Sequence, residues 1–400
     1  LPHSRDFWIM SFAEILEKTN LRELRLHLDD VSEEQVQRSL ARTRTSFSDF
    51  LAMLSPVARN YLEPLAQRAH KITERRFGRV ILLYAPLYLS NECTNACLYC
   101  GFNVNRTVPR ITLSFDQILA EAHYLKGWGF RHVLLVCGEA PKVVPVALLE
   151  RVLYALKDDL PSLSLEVYPL SAPAYEHVAQ AGADGLVLYQ ETYDRDAYER
   201  VHPEGRKRDF TWRLTAAERG GDAGFRRLGI GALLGLHDWR HEGIALALHA
   251  DYLMKHYWKT QITISFPRLR HTPETFVPAA SVSDIDLVQL MLALRNYLPD
   301  AGMVISTREP AMLRDKLIPL GVTQMSAGSR TEPGGYLHPT EAGAQFEVED
   351  HRSPQEVARV IREAGYEPVW KDWDREMRSG IAVENETYAS HRQREAPRGA

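Results

Sequence analysis

The sequence predicts an α/β protein built on a (β/α)8 TIM-type barrel, with a helical extension in front of it. Three observations predict this fold. Short apolar runs rich in β-branched residues recur from residue 79 onward, longer amphipathic segments separate them, and several of those segments end at glycine. An open doubly wound sheet is the competing architecture for the same alternation of elements.

Residues 1–78 are predicted to form the helical extension. The apolar spacing in FAEILEKTNLRELRLHL is that of an amphipathic helix, and Ser32 takes the N-cap position of the segment SEEQVQRSLAR. Few β-branched residues occur here, so strands are not expected before residue 79.

Residues 79–330 are predicted to form the barrel. Its eight candidate strands are the runs 79–90, 131–139, 162–170, 184–192, 227–236, 261–267, 302–309 and 322–329. Barrels of this kind carry their active sites at the C-terminal ends of the strands. Polar residues at those ends are therefore the first candidates for function.

Two further segments follow the barrel. Residues 331–380 are predicted to be a C-terminal extension that packs on the barrel, with a loop followed by a capped helix in SPQEVARVIREAG. The polar residues 381–400 are predicted to be a disordered tail.

The composition narrows the function classes. With 45% hydrophobic and 25% charged residues the chain is typical of a globular protein, and a net charge of -4 offers no basic field for nucleic acid. The apolar run at 80–89 has about half the length of a membrane-spanning helix, and the first residues do not resemble a signal peptide. We therefore expect a cytoplasmic protein without a membrane or nucleic-acid partner.

Three of the four cysteines stand in the segment NECTNACLYCGFN, directly after the first predicted strand. Cys93, Cys97 and Cys100 have the spacing CxxxCxxC. A structural zinc site normally has four Cys or His ligands, and a ferredoxin-type cluster needs a fourth thiolate. Three thiolates suit a 4Fe-4S cluster with one iron open to another ligand. Cys137, the fourth cysteine, is predicted to be a buried residue at the end of the second strand.

This cysteine spacing, with Tyr99 before the last cysteine, resembles the signature of the radical S-adenosylmethionine (SAM) enzymes. The resemblance implies one 4Fe-4S cluster whose open iron binds SAM. Gly138 and Glu139 match the family's Gly-Gly-Glu segment, in which the first glycine is replaced by Cys137. In the family this segment holds the amino group of SAM.

Other strand ends extend the predicted SAM site. Glu166 ends the third strand and Glu191 the fourth, and related barrels place the fourth-strand carboxylate on the SAM ribose. Arg208 resembles the arginine that pairs with the SAM carboxylate, although Arg206 and Lys207 are adjacent alternatives.

The seventh and eighth strand ends suggest a substrate site. Ser306, Thr307 and Arg308 stand together before a predicted helix, where hydroxyl, N–H and guanidinium groups can converge on one amino-acid carboxylate. A helix N-cap with a surface arginine would explain the same residues. The mouth of the eighth strand adds Ser329 and Arg330, and His271, after the sixth strand, is a candidate to reach a phenol oxygen.

Taken together, CTNACLYCGF, GEAPK, YQETY, FPRLRHTPE, ISTREPAMLRD and SAGSRTEPGGY resemble the 2-iminoacetate synthase family, the tyrosine lyases of thiamin biosynthesis. This resemblance implies cleavage of the Cα–Cβ bond of L-tyrosine to 2-iminoacetate and p-cresol, with SAM converted to 5'-deoxyadenosine and methionine. Ser306, Arg308 and His271 are then the candidate catalytic residues. Thiazole synthase and a flavodoxin or ferredoxin-type reductant are the implied protein partners.

Several alternatives stay open from the sequence. A tryptophan lyase or an enzyme that couples tyrosine to a flavin precursor would share the barrel. The tyrosine lyase of hydrogenase maturation needs C-terminal cysteines, and none follows Cys137. Biotin synthase needs additional barrel cysteines for its second cluster. A non-catalytic iron–sulfur carrier is the alternative from a different class, although it would have little use for acidic and arginine-bearing strand ends.

Overall fold

The computed structural model describes residues 10–270, 276–337 and 342–374. Its strands are β1 (Val80–Ser90), β2 (His132–Cys137), β3 (Ser162–Glu166), β4 (Gly185–Val187), β5 (Arg227–Gly231), β6 (Gln261–Ser265), β7 (Gly302–Ile305), β8 (Gln324–Ser326) and β9 (Glu367–Val369). Its helices are α1 (Phe12–Lys18), α2 (Leu21–His27), α3 (Glu33–Ala41), α4 (Phe47–Leu54), α5 (Leu62–Phe77), α6 (Phe115–Gly127), α7 (Val146–Leu156), α8 (Ala172–Ala181), α9 (Arg195–Val201), α10 (Phe210–Leu214), α11 (Ala216–Asp222), α12 (Trp239–His256), α13 (Asp284–Tyr297), α14 (Ala311–Leu317) and α15 (Pro354–Glu363).

The first eight strands form a closed parallel barrel. Each strand from β2 to β7 pairs with the next, and β1 closes the barrel by pairing with both β2 and β8. The predicted barrel is thereby confirmed and the open sheet is excluded. One strand was missed: β9 pairs with the start of β1 outside the barrel, and three residues are too few to show a period of two.

The strands at the site are shorter than predicted. The run 302–309 is a strand only from Gly302 to Ile305, and the run 322–329 only from Gln324 to Ser326. The remaining residues of both runs leave the sheet and form loops at its C-terminal edge. Polar residues that were assigned to strand ends therefore stand on loops, where their side chains can face a ligand.

The helices before the barrel cover its outer surface. Ser11 and Ser32 close capping boxes at the starts of α1 and α3, so the N-cap predicted at Ser32 is present. The Phe12 ring stacks on His249 of α12 with centroids 4.1 Å apart. His249 Nδ1 lies 2.8 Å from the Tyr193 hydroxyl, so α1 packs against the segment that follows β4.

A polar network fills the barrel at the N-terminal ends of the strands. Buried Arg227 lies within hydrogen-bonding distance of His132 and Gln261, and it donates to Asp372 Oδ2 at 2.7 Å. Burial and the neighbouring arginine charges hold the pKa of His132 well below its ordinary value, so the imidazole is neutral beside Arg227. The chain after the barrel thus helps to close this end.

The chain beyond β8 also returns to the opposite end of the barrel. Asp350 and Arg314 form an ion pair whose side chains are both fully buried, and Ser353 closes the capping box of α15.

None of the helices in the described ranges is both long and apolar enough to cross a membrane. The tail predicted at 381–400 lies outside the described residues.

Candidate active site

The cysteine loop lies at the C-terminal mouth of the barrel, directly after β1. Cys100 and Tyr99 line the barrel cavity, which encloses about 1040 Å³ of space including its mouth. Three cysteine ligands from one loop fall short of the four that a structural zinc site has, and they suit a 4Fe-4S cluster with one iron open to another ligand.

The chemistry of the thiols also fits a cluster. Burial is the largest effect that raises the pKa of Cys97 to about 11 and that of Cys100 to about 12, and the neighbouring cysteines add to it. Such thiols become thiolates at neutral pH only when a metal supplies positive charge. Cys93, Cys97 and Cys100 would therefore hold the iron of a 4Fe-4S cluster.

The end of β2 is bonded to this loop. The backbone oxygen of Glu139 accepts hydrogen bonds from Thr94 N and Oγ1, and its carboxylate accepts one from Asn95 Nδ2 at 2.8 Å. A Cβ at Gly138 would lie 2.3 Å from the Glu92 backbone oxygen, so the close approach requires glycine. Asn95 was not predicted as a site residue, because one buried Asn in a loop carries no sequence signal.

Cys137 lies at the end of β2, paired in register with Ser90 of β1. It is 8% exposed. Burial, and then the neighbouring Cys93, raises the pKa of its thiol above the ordinary value. A neutral thiol in an apolar setting agrees with its prediction as a core residue.

Glu191 has the only positive φ of any non-glycine residue in the described chain, at 73°. Its backbone oxygen accepts from Leu233 N at 2.7 Å, which anchors this unusual conformation to the chain after β5. Strain of this kind is found mainly at functional sites. Burial raises the pKa of Glu191, but Lys207 and Arg213 outweigh it, so the pKa lies below its ordinary value and the carboxylate is charged.

The turn at Arg206–Arg208 places only its middle residue in the cavity. Lys207 lines the cavity and donates to Glu191 Oε1 at 2.7 Å, while its backbone N–H donates to Asn95 Oδ1. Arg208 is exposed and lies in a shallow depression outside the barrel together with Arg206. The structure therefore does not bring the predicted Arg208 into the cavity. Lys207, its adjacent alternative, lies there instead.

Glu166, at the end of β3, faces the cavity without a hydrogen bond to another described side chain. Burial, and then the charge on Glu191, raises the pKa of Glu166 to about 7. The two strand-end carboxylates thus differ in charge near neutral pH, because Glu191 forms ion pairs with Lys207 and Arg213, whereas the cations near Glu166 do not outweigh its burial.

Arg308 presents a guanidinium to the cavity that forms no ion pair with any described residue. The group lies over the Phe346 ring, 3.7 Å from its centroid, and its buried Nε has no hydrogen-bond partner within the described ranges. Desolvation lowers the pKa of Arg308, but arginine stays charged in proteins. A buried guanidinium without an anion has the chemistry to bind a ligand carboxylate.

The other predicted substrate residues divide into two groups. Ser306, Thr307 and Ser329 line the cavity, and the buried Ser329 Oγ has no hydrogen-bond partner in the part of the chain that the structure describes. Thr307 N donates to Ser326 Oγ at 3.0 Å, and α14 begins only at Ala311, so this loop is not a helix N-terminus. Arg330 is exposed and does not line the cavity. His271 lies outside the described residues.

Two parts of the cavity wall were missed by sequence reasoning. Gln345 and Phe346 come from the loop after β8, and Gln345 Oε1 accepts from the Tyr88 hydroxyl at 2.6 Å. Nothing in a loop sequence shows which barrel residue it will meet. Tyr84 and Tyr88 also line the cavity, and here a signal existed: alternate residues of a strand face the same side.

Two family models match the chain. Residues 87–248 match the Radical SAM superfamily, and residues 265–367 match the Biotin and Thiamin Synthesis associated domain. The first match contains the cysteine loop, Glu139, Glu166 and Glu191. The second contains Arg308 and Ser329.

Curated relatives and solved structures agree with these matches. The chain is 40% identical over 365 residues to the 2-iminoacetate synthase of Escherichia coli, with 91% of this chain and 97% of that protein covered. It is 41% identical to the enzyme of that name from Salmonella typhimurium, covering 88% and 94%. The FeFe-hydrogenase maturase HydG from Carboxydothermus hydrogenoformans has a similar structure, with a TM-score of 0.77, 33% identity and coverage of 90% and 82%.

Proposed function

The chain belongs to the 2-iminoacetate synthase family of radical SAM lyases, and on that premise we propose how its cavity serves the reaction. The substrate is L-tyrosine, whose Cα–Cβ bond is cleaved to give 2-iminoacetate and p-cresol. When bound, the 4Fe-4S cluster and SAM supply the 5'-deoxyadenosyl radical that takes a hydrogen atom from the substrate. The residues of the chain bind, orient and enclose these reactants.

The unpaired guanidinium of Arg308 carries this proposal. It binds the tyrosine carboxylate, and Ser329 Oγ, which also lacks a partner among the described residues, is a second polar group available to the substrate. Phe346, Tyr84 and Tyr88 provide aromatic walls for the ring. An iron–sulfur carrier would gain nothing from leaving a buried cation unpaired, so this feature favours an amino-acid substrate.

The SAM site lies between the cysteine loop and the ends of β2 and β4. Glu139 is held against the loop by Asn95, and Glu191 is held by Lys207. We assign the amino group of SAM to the segment of Gly138 and Glu139, and its ribose to Glu191. Tyr99 and Glu166 complete the wall of this site.

The wider setting follows the same family. Thiazole synthase is the proposed acceptor of 2-iminoacetate, and a flavodoxin or ferredoxin-type protein is the proposed electron donor. The cytoplasm is the proposed location, because its reducing conditions keep the cysteine thiols free for iron.

One assay tests the function. The anaerobically reconstituted protein is mixed with SAM, a one-electron reductant and tyrosine, and 5'-deoxyadenosine, p-cresol and glyoxylate from imine hydrolysis are measured. All three products are expected in equal amounts. 5'-Deoxyadenosine without p-cresol would reject tyrosine cleavage but keep the radical SAM class, and a parallel reaction with tryptophan would then test the other aromatic substrate. Absence of 5'-deoxyadenosine with either substrate would reject both.

A further inference from the structure

Asp194, His237 and His241 place one metal-ligating atom each within 4.8 Å of one another. None of the three lines the barrel cavity, and none is needed for the reaction proposed above. Asp194 and His237 have side chains that are 27% and 30% exposed, whereas His241 is only 6% exposed. This group of three side chains thus lies at the edge of the protein interior.

Asp194 and His237 lie on two neighbouring loops, and His241 lies in the first turn of α12. Asp194 is the N-cap of α9, and its Oδ1 accepts from Ala197 N at 2.7 Å. This bond leaves Oδ2 available, 3.8 Å from His237 Nε2. His237 and His241 flank the start of α12, and their rings are in a T-shaped arrangement with centroids 4.6 Å apart. The ends of β4 and β5 are thereby brought together.

His241 carries an unused polar atom. Its Nδ1 is buried and has no hydrogen-bond partner among the described residues. Buried polar atoms in native proteins are nearly always paired, so this orphan nitrogen, in a group of metal-ligating side chains, points to a ligand. The side chain of His241 is more than nine-tenths buried, which makes water a poor substitute.

An acidic side chain stands behind His237. Glu242 Oε1 lies 4.0 Å from His237 Nδ1, and the same carboxylate accepts from Thr192 Oγ1 and Tyr193 N. A carboxylate behind a ligating histidine is the usual orienting partner at metal sites. The nearby Arg25 pairs with Asp238 at 3.0 Å and with Asp29, so its charge is balanced.

We propose that Asp194, His237 and His241 bind one divalent transition-metal ion, for which zinc is the best match. Two imidazoles and one carboxylate suit zinc, whereas calcium and magnesium prefer ligand sets made of oxygen alone. The ion ties the loop after β4 to the start of α12. Because Thr192 and Tyr193 directly follow Glu191, the ion also steadies the strained residue at the mouth of the barrel.

Zinc binding to the cluster-loaded full-length chain tests this proposal independently of lyase activity. Because the iron–sulfur cluster occupies the thiolates of the cysteine loop, zinc that binds to this protein binds at another site. The protein is titrated with zinc against a fluorescent competitor, zinc per chain is measured after desalting, and the melting temperature is recorded with and without the ion. We expect one tightly bound zinc per chain and a higher melting temperature with zinc.

Two variants and a matched control complete the test. His237→Ala removes a half-exposed loop ligand, and Asp194→Asn removes the charge but keeps an oxygen for the helix cap. Each should weaken zinc binding by about 100-fold or more. This loss exceeds the one usually seen when a residue that only contacts a metal ligand is removed. The control is His177→Ala, which replaces an exposed histidine near Glu150 and should leave zinc binding unchanged. Absence of zinc from the parent protein, or full retention of zinc by both His237→Ala and Asp194→Asn, would overturn the proposal.

Discussion

Lys207 Nζ lies 2.7 Å from Glu191 Oε1, and this ion pair joins the end of β4 to the turn that packs on the cysteine loop. Both side chains are about nine-tenths buried. The pair therefore fixes the carboxylate proposed for the SAM ribose relative to the residues proposed for the iron.

Glu191→Gln should weaken SAM binding by at least about 10-fold. The substitution removes the negative charge that pairs with Lys207 and Arg213. Leaving a buried cation unpaired costs about 3 kcal/mol of folding free energy. SAM affinity is measured by calorimetry on the cluster-loaded protein. Glu199→Gln, on the exposed surface of α9, is the control and should bind SAM normally. Unchanged affinity in Glu191→Gln would remove Glu191 from the SAM site.

Arg308→Lys should raise the KM for tyrosine by about 10- to 100-fold, because lysine cannot form the paired hydrogen bonds that a guanidinium gives a carboxylate. SAM binding should not change. Steady-state p-cresol formation measures KM, and calorimetry measures SAM affinity. Arg330→Lys is a matched control on an exposed residue near the same mouth. A larger effect from Arg330→Lys than from Arg308→Lys would move the carboxylate site to Arg330.

Cys137→Ala should retain the full 4Fe-4S cluster and the spectral change on SAM addition. Cys137 ends β2 as a buried thiol, whereas the three cysteines of the loop suffice as ligands. Iron content and electron paramagnetic resonance of the reduced protein provide the measurement. Cys97→Ala should lose the cluster under the same conditions. Loss of the cluster from Cys137→Ala would identify Cys137 as a ligand.

Glu166→Gln should stabilise the cluster-free chain above pH 7. Burial raises the pKa of Glu166 from its ordinary value near 4.5 to about 7, so the folded state holds a proton that the unfolded state releases. The stability of the parent protein relative to the variant should therefore fall as pH rises from about 4.5 to about 7, by about 3 kcal/mol in total. It should stay constant above that range.

Urea unfolding at several pH values measures this difference. Glu176→Gln, an exposed residue of α8, should show the pH dependence of the parent protein. If the stability difference between Glu166→Gln and the parent protein did not change with pH, the carboxyl would not be protonated in the folded state.

Asp350→Asn should destabilise the protein by about 3 to 5 kcal/mol, because it leaves the fully buried Arg314 without its anion. It should also weaken tyrosine binding, since Asp350 N and Glu349 N donate to the Thr307 oxygen beside Arg308. Urea unfolding and KM are the two measurements. Glu363→Gln, at the exposed end of α15, is the control. Unchanged stability would show that the extension after residue 330 does not depend on this pair.

The cysteine loop and the barrel could be predicted because their signals are local. The spacing of Cys93, Cys97 and Cys100 lies within eight residues, and each apolar run needs only its own composition to be recognised. The positions of Glu166, Glu191 and Arg308 at the cavity then followed from one rule, that parallel strands end at the same side of a barrel.

The turn at Arg206–Arg208 shows where local signals stop. Successive residues of a tight turn point in different directions, so a shift of one position separates a cavity residue from a surface residue. The sequence made all three cations of the turn candidates for the SAM carboxylate. Only the packing of the turn against Asn95 directs Lys207 into the cavity.

The sequence by itself determined the type of barrel, the three-cysteine loop and the family, because these depend on short motifs and on periodicity. Only the tertiary structure decided which groups lack a partner inside the protein. Within the described residues, the guanidinium of Arg308 without an ion pair and the orphan Nδ1 atom of His241 are defined by every neighbour within hydrogen-bonding reach. Those neighbours come from distant parts of the chain, as Phe346 and Asp194 do, and their meeting depends on the folded packing.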